Sequence, residues 1–324
     1  MKPFLKTSLT AMAAALTLAA APAQAQADDW PNRSVEVIVP YTPGGATDSV
    51  TRAVTDRLTQ RLGQTFVVTN RPGANGTIGT SQGARAKPDG YTFVTVLAAH
   101  TVNPHLYKLN YSDEDFTPVS HMADLPLFLF VAKDLPVNTL EELVEYGKAN
   151  DGMLTYASSG TGASAHLTGA NFSHLAGFEM IHVPYKGSAP ILTDLLGGRV
   201  SMAFDPILVP MQYAKQGDLK VLAVTSTERW ADEPDIPTVA ESGFPGFAMN
   251  SWVALLAPAG TPQEIVDKVA AEIAEIVKEE SIGERFKNAG FVPIGTGPAD
   301  LQALIERDSK MYGEIIERAK ISID

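Results

Sequence analysis

The sequence predicts an α/β protein whose mostly parallel sheets, flanked by helices, are divided between two lobes. Three observations carry that expectation. Strand-like and helix-like runs alternate along most of the chain, the pattern of parallel sheets covered on both faces. Without its leader the chain keeps roughly 300 residues, 45% of the whole being apolar, a length that suits two lobes better than one. Glycine-rich turns also sit where strand gives way to helix, the place where open α/β sheets meet their ligands.

The leader comes first. Residues 1–27, "MKPFLKTSLTAMAAALTLAAAPAQAQA", combine Lys2 and Lys6, an apolar stretch and small residues in A-x-A spacing. This is the pattern of a secretory signal peptide, with cleavage after Ala25 or Ala27. A retained anchor is the alternative, but the apolar run is short for a bilayer span. The mature protein is therefore expected to be soluble and periplasmic. The chain has no Cys, which excludes a disulfide framework, a thiolate metal site and a lipid anchor on sulfur. Its formal charge of −12 disfavours nucleic acid and anionic lipid as partners.

"VEVIVP" (35–40) is β-branched and ends at Pro40. From 48 to 62, Val50, Ala53, Val54, Leu58 and Leu62 recur at helical spacing, and Gly63 closes the run. "TFVVTN" reads as a strand, "RPGANGTIG" as a turn into a short helix, and "YTFVTVLAA" as a strong strand. A less regular stretch follows. "LFLFVAK" is a strand and "TLEELVEYGKAN" a helix opened by a capping box of Thr139 and Glu142. The strands "LTYAS", "MIHVPY", "RVSMAFD", "LKVLAVTS" and "WVALLAP" continue the alternation, with helices from about Ala163 and over "SAPILTDLLGG". "PDIPTVAESGFPGF" (234–247) reads as a surface loop approaching a crossing between lobes. Pro262, at a first helical position, opens one long helix through "EIVDKVAAEIAEIVKEE"; "FVPIG" and a helix from Pro298 finish the chain.

Two strand-to-helix junctions carry binding chemistry. One comprises Tyr41, Thr42, Gly44, Gly45, Ala46, Thr47 and Asp48; the other comprises Ser158, Ser159, Gly160, Thr161, Gly162, Ala163 and Ser164, with His166 just beyond. Each exposes backbone N–H groups at the positive end of a helix and adds hydroxyls, which makes it a seat for an anion. One helix terminus contributes at most about 2 kcal/mol, whereas a micromolar ligand needs about 8 kcal/mol. Two seats acting together are therefore expected. Asp48 either caps the first helix or faces a polar group on the ligand. Neither junction matches G-x-x-x-x-G-K-[ST] or G-x-G-x-x-G, so no nucleotide is expected.

The motifs "PYTPGGATDS", "NRPGANGTIG", "KPDGYT", "NPHLY", "GTGASAHL", "HVPYKG" and "APAGTP" fall in the order found in Bug-type solute-binding proteins of tripartite tricarboxylate transporters. The resemblance runs from about residue 33 to the end of the chain. It implies a type II-like periplasmic binding protein: a first lobe of 28–126 and 251–324, a second of 127–250, and a ligand cleft between them. It also implies integral-membrane transporter subunits as partners. In such proteins the equivalents of 41–48 and 158–164 line the cleft, and the pattern adds Ala99, His100, Thr101 and Asp205. One departure is Ala170, where a glutamate is common, so no single relative's ligand transfers directly.

Other chemistry is weak. Ser164, His166 and Asp205 make no nucleophile elbow, and Ser164 and His166, two residues apart, point in different directions. No H-x-x-x-H spacing occurs, so no metal or cofactor is expected. His100 either donates to a carboxylate or is a hydrogen-bonded loop residue. Tyr41, Phe204 and Trp252 either stack on a ligand ring or fill the core, and Lys186 is expected in solvent. The sequence therefore reads as a monomeric, non-catalytic receptor that delivers a small carboxylate to a membrane transporter. Amino acids, di- or tricarboxylates and aromatic acids all suit two backbone-lined seats. A periplasmic hydrolase or transferase on a similar scaffold, or a ligand-sensing partner of a signalling receptor, is the alternative. Ester turnover would mark the former.

Overall fold

A computed structural model describes residues 30–323 apart from 186, 187 and 207. The leader and Lys186 thus lie outside the described residues. In chain order the first elements are β1 (Val35–Val39), α1 (Ala46–Leu62), β2 (Phe66–Asn70), α2 (Thr77–Ala84), β3 (Thr92–Leu97), α3 (Ala99–Leu106) and β4 (Phe116–Leu125). There follow β5 (Phe128–Ala132), α4 (Leu140–Ala149), β6 (Leu154–Ser158), α5 (Ser164–Ala176), β7 (Met180–Pro184), α6 (Ser188–Leu196), β8 (Met202–Asp205), α7 (Leu208–Lys215) and β9 (Leu219–Val224). The chain closes with β10 (Ser251–Pro258), α8 (Gln263–Ile276), α9 (Glu280–Asn288), β11 (Val292–Thr296) and α10 (Pro298–Arg318).

The strands form two sheets, ordered β11-β4-β10-β3-β1-β2 and β7-β6-β8-β5-β9. Both are mixed. β1 pairs in parallel with β2 and β3, and β6 with β7 and β8. The strands that enter from the other sheet, β10 and β5, run antiparallel to both neighbours. Strand–helix alternation foretells the parallel trios but is blind to strands that arrive by a crossing, because their partners lie far away in sequence.

Side chains alternate between two cores. On β10, Val253 and Leu255 join Val50, Val54 and Leu58 of α1 and Val266, Val269 and Ile273 of α8. Trp252, Ala254 and Leu256 face the other way, toward Ile38, Val94 and the α10 residues Leu301 and Ile305. Such strands are apolar on both faces and read as continuous hydrophobic runs. In the second sheet Leu129, Tyr156, Phe172 and Phe204 share one core, while Phe128, Phe130, Ala157 and Trp230 share the other. The first of these also takes in Val102 of α3 and Tyr312, Ile315 and Ile316 of α10. These two helices therefore tie the sheets together.

The chain crosses between sheets after β4 and after β9, and Thr225 joins the two crossings. Its N–H donates to Leu127 O (2.9 Å), its carbonyl accepts from Met249 N (3.3 Å), and its hydroxyl accepts from Leu127 N (3.0 Å) and donates to Asn250 Oδ1 (3.0 Å). The residue is fully buried.

Several local expectations change. The long helix after Pro262 is two helices, since Glu279 is extended (φ −65°, ψ 130°) before α9, and Pro262 is the N-cap rather than the first helical residue. At α4 the Thr139 hydroxyl accepts from Glu142 N, but Glu142 reaches the N–H of Asn138, one residue before the cap. α3, β4 and α7 had no clear signal. "AHTVNPHL" carries a proline and weak helix formers, and "FTPVSHMADL" lacks alternation.

Candidate ligand site

In each sheet the chain makes its first parallel connection to one side of the leading strand and its second to the other. β1 leads to β2 and then β3 on its far side; β6 leads to β7 and then β8. The order thus reverses at β1/β3 and at β6/β8, and the crevice beyond the carboxyl ends of such strands is where open sheets receive ligands. The 40–45 loop, the start of α3, the 159–163 loop and Asp205 all follow those four strand ends. Sequence reasoning picked out the same junctions.

A chain of contacts links the two loops. The side chain of Tyr41 packs over Gly76, where a Cβ would sit 2.8 Å from its hydroxyl. Asn75 donates to Asn103 Oδ1 of α3 (2.8 Å), and Asn103 returns a bond to Asn75 O (3.1 Å). Further along α3, Leu106 lies against Gly162, where a Cβ would meet its Cδ1 at 2.6 Å. One short helix is the wall that both loops share.

The first loop is built by charge. Gly44 is left-handed (φ 79°) and its N–H donates to Asp48 Oδ2 (2.9 Å). The same oxygen accepts from Arg52 Nε (2.9 Å), and Oδ1 accepts from Asn70 Nδ2 (2.9 Å). Arg52 donates in turn to Asn70 Oδ1 (3.0 Å), and Asn70 Nδ2 also reaches Tyr41 O (3.0 Å). Burial works against ionisation of Asp48, yet the Arg52 guanidinium, the Gly44 N–H and the Asn70 amide outweigh it and hold the carboxyl below the usual range. The carboxylate therefore clamps the loop, with both oxygens engaged by protein donors. It acts one residue before the N-cap Gly45, which has no side-chain cap of its own.

Gly45 has an ordinary φ of −75°, so the demand for glycine rests on Gly44. Its N–H turns back to Thr42 O at 3.4 Å, and the first intrahelical bond runs from Ser49 N to Gly45 O. The N–H groups of Ala46, Thr47 and Asp48 thus stand outside the helical ladder, as first-turn donors do. Thr42 is exposed and Thr47 buried.

The second loop repeats the geometry with neutral groups. Gly162 is also left-handed (φ 79°), and its N–H donates to His166 Nδ1 (3.1 Å), four residues on. Ser158 is fully buried; its hydroxyl donates to Gly160 O (3.0 Å), accepts from Gly160 N (3.3 Å) and lies 2.7 Å from His182 Nε2. His166 and His182 stack at 3.6 Å with 5° between planes, and Tyr156 packs against both. Burial and the neighbouring His182 push the His166 imidazole down to about 3, and burial pushes His182 down to about 4. Ser159 is exposed and Gly160, Thr161, Ala163 and Ser164 are half-buried. α5 starts at Ser164 and its first bond joins Leu167 N to Ala163 O, which leaves the N–H groups of Ser164, Ala165 and His166 outside the ladder.

Several other candidates are engaged in the interior. His100 is 2% exposed, with Nε2 3.1 Å from Asp113 Oδ1 and its ring stacked on Tyr111, so it belongs to the first lobe's interior. Thr101 is buried and bonds back to Ala98 O (2.7 Å); Ala99 is half-buried at the start of α3. Trp252 and Phe204 are core residues, the former donating to Asp308 Oδ2 (2.7 Å). Tyr41 is half-buried and bonded to the backbone of Leu97. Asp205 is buried at the end of β8. Ser164 and His166 form no dyad, since His166 Nδ1 is taken by Gly162; Ser158, which meets His182, is sealed from solvent.

Sequence reasoning missed Arg52, Asn70 and His182. The i,i+4 spacing of Asp48 and Arg52 was a readable signal. Asn70 and His182 reach their loops only through sheet pairing.

Residues 50–321 match the model of the tripartite tricarboxylate transporter family receptor. The periplasmic binding protein BugD is 36% identical, with a TM-score of 0.73 over 91% of this chain and 100% of BugD. An R. palustris protein solved with adipate is also 36% identical, with a TM-score of 0.77 over 91% of this chain and 100% of its own. MatC from Rhodopseudomonas palustris with bound malate is 30% identical, with a TM-score of 0.72 over 89% of this chain and 100% of its own.

Proposed function

This chain belongs to the tripartite tricarboxylate transporter receptor family, and on that premise we propose that it captures a small organic carboxylate between its two sheets and delivers it to integral-membrane transporter subunits. The observation that carries the proposal is the repeated seat: a left-handed glycine and an uncovered first helical turn at each topological switch point. Such donors suit carboxylate oxygens, and two facing seats suit a ligand with a carboxylate at one end and a second polar group at the other. Adipate and malate, found in two similar proteins, both have that form.

On this reading the ligand contacts are backbone and hydroxyl groups of Thr42, Gly45, Ala46, Thr47, Ser159, Thr161, Ala163 and Ser164. Asp48, Gly162 and His166 shape the loops without touching the ligand. The two lobes, 28–126 with 251–324 and 127–250, close over it, and no reaction follows. The same reading places the mature protein in the periplasm, released from a leader ending at Ala25 or Ala27.

Native mass spectrometry of the protein purified from the periplasm, followed by titration calorimetry with malate and adipate, tests the proposal. A stoichiometric co-purified acid or saturable binding of either compound supports it. Hydrolysis of a carboxylate ester with no binding of free acids would overturn it.

A further inference from the structure

Beneath the second loop, two imidazoles from different elements are packed face to face and each holds one point of the loop. His166 of α5 accepts the Gly162 N–H on Nδ1, so a neutral ring carries its proton on Nε2. Ser158 spends its one hydroxyl proton on Gly160 O, so His182 of β7 donates from Nε2 to Ser158 Oγ. We propose that His182 is a positioning residue for ligand capture: it donates to Ser158 Oγ and stacks on His166, and so steadies the ring that accepts the Gly162 N–H and fixes the shape of the 158–164 loop. The proposal rests on the reading that this loop meets the carboxylate.

The physics is local. A second proton on His166 must enter at Nδ1, where the Gly162 N–H already points. An acceptor becomes a donor, two donors then face each other, and the loop has to move. The ring planes lie 3.6 Å apart, so a charge on either ring disfavours one on the other. Tyr156 on β6 presents its ring to both, at 6.1 Å and 5.0 Å, and burial raises its phenol, which leaves it uncharged. Other ionisable groups on the surrounding elements are Asp205 at the end of β8, Tyr185 beyond β7, His174 further along α5 and Arg318 of α10, which bonds to Asn171 on α5 (2.9 Å). The charge acting on His166 is that of His182.

Nitrogen-15 NMR of the ligand-free protein across pH 7.5 to 2.5 tests the arrangement directly. The expected result is a His166 ring in the Nε2–H form at neutral pH, with the Gly162 amide resonance moving at the same midpoint as the His166 ring. In His182→Gln the midpoint of His166 rises by about one pH unit or more, a tenfold change in its protonation ratio, and the Gly162 amide follows it. In His166→Asn, which supplies an acceptor that does not titrate, the Gly162 amide becomes independent of pH. Calorimetry with malate and adipate then compares pH 7.5 with 3.5. His182→Gln is expected to lose about threefold more affinity over that interval than the wild-type protein, and the ligand's own titration is common to both. A Gly162 amide that ignores His166, or a His182→Gln protein with the wild-type pH profile, overturns the proposal. If neither acid binds the wild-type protein, the carboxylate-receptor reading fails while the NMR titration still decides the role of His182.

Discussion

The loops at 41–48 and 158–164 have one backbone design and two chemistries. In each, a glycine at φ 79° precedes the N-cap, and its N–H is taken by the side chain four residues later. At the first loop the acceptor is a carboxylate, neutralised by Arg52 and steadied by Asn70. At the second it is an imidazole kept neutral by burial and by its stacked neighbour. The same bond joins Asn138 to Glu142 at α4, away from both switch points, so the device is a general way to shape a helix entrance. On the proposed reading, what differs between the seats is how a buried acceptor avoids repelling an incoming anion. One loop cancels the charge and the other never has it.

The largest effect that separates the loops is expected from Gly162→Val. A β-branched residue at φ 79° is strained, and its Cβ would displace the Leu106 methyl as well, so about 2–3 kcal/mol of stability should be lost. Gly44→Val meets nothing within 4 Å and should cost only the backbone strain, about 1–2 kcal/mol. Chemical denaturation of both variants checks the ranking, and equal losses would mean that α3 does not press on the second loop. Asp48→Ala should cost about 2 kcal/mol, because Gly44 N–H, Arg52 and the Asn70 amide all lose a charged acceptor.

Acid should act on the two loops in the same direction but over different ranges. His166 and His182 bind protons more weakly folded than unfolded, so the unfolded chain takes up protons first. Their contribution is complete above pH about 6.5 and falls as pH drops toward 4 and then 3. Asp48 is also depressed, so its contribution stands until pH falls below the ordinary carboxylate value and through its own. Thermal melts at half-unit steps of pH should therefore weaken between 6.5 and 4 in the wild-type protein and much less in a His166→Asn/His182→Gln double variant. The smallest structural effect belongs to Gly45→Ala. With φ −75° and a Cβ 3.5 Å from Thr42 O, stability should stay within about 0.5 kcal/mol. A loss of affinity for malate or adipate without loss of stability would place the ligand against this N-cap.

The glycine–hydroxyl junctions were legible because φ > 0 and an uncovered helix start both leave local marks in sequence. Asp48 was legible as a residue that could close the helix entrance, and its bond to Gly44 is local, but its partner Asn70 arrives only once β2 pairs with β1. His100 misled for the opposite reason. It follows a strand end, yet α3 turns it inward onto Tyr111 and Asp113. The parallel trios could be read from alternation, whereas β4, which binds the first sheet to its crossing, carries Pro118 and His121 and shows no period. Local rules describe local bonds; the clamps that finish each loop are made by the fold.

Thr225 gives the crossings a mechanical character. A joint made of two independent strands can bend, twist and shear, but here one residue bonds to both strands within a few ångströms. Relative sliding of the strands would break those bonds, whereas rotation about an axis through Thr225 leaves them intact. On the proposed reading, opening and closing becomes motion along a single coordinate, with the bend absorbed just outside the pinned residues. Hydrogen exchange should show it: the Leu127 and Thr225 amides stay slow in the free and ligand-bound protein alike, while a Thr225→Val variant exchanges faster at Leu127 and closes into a broader set of shapes.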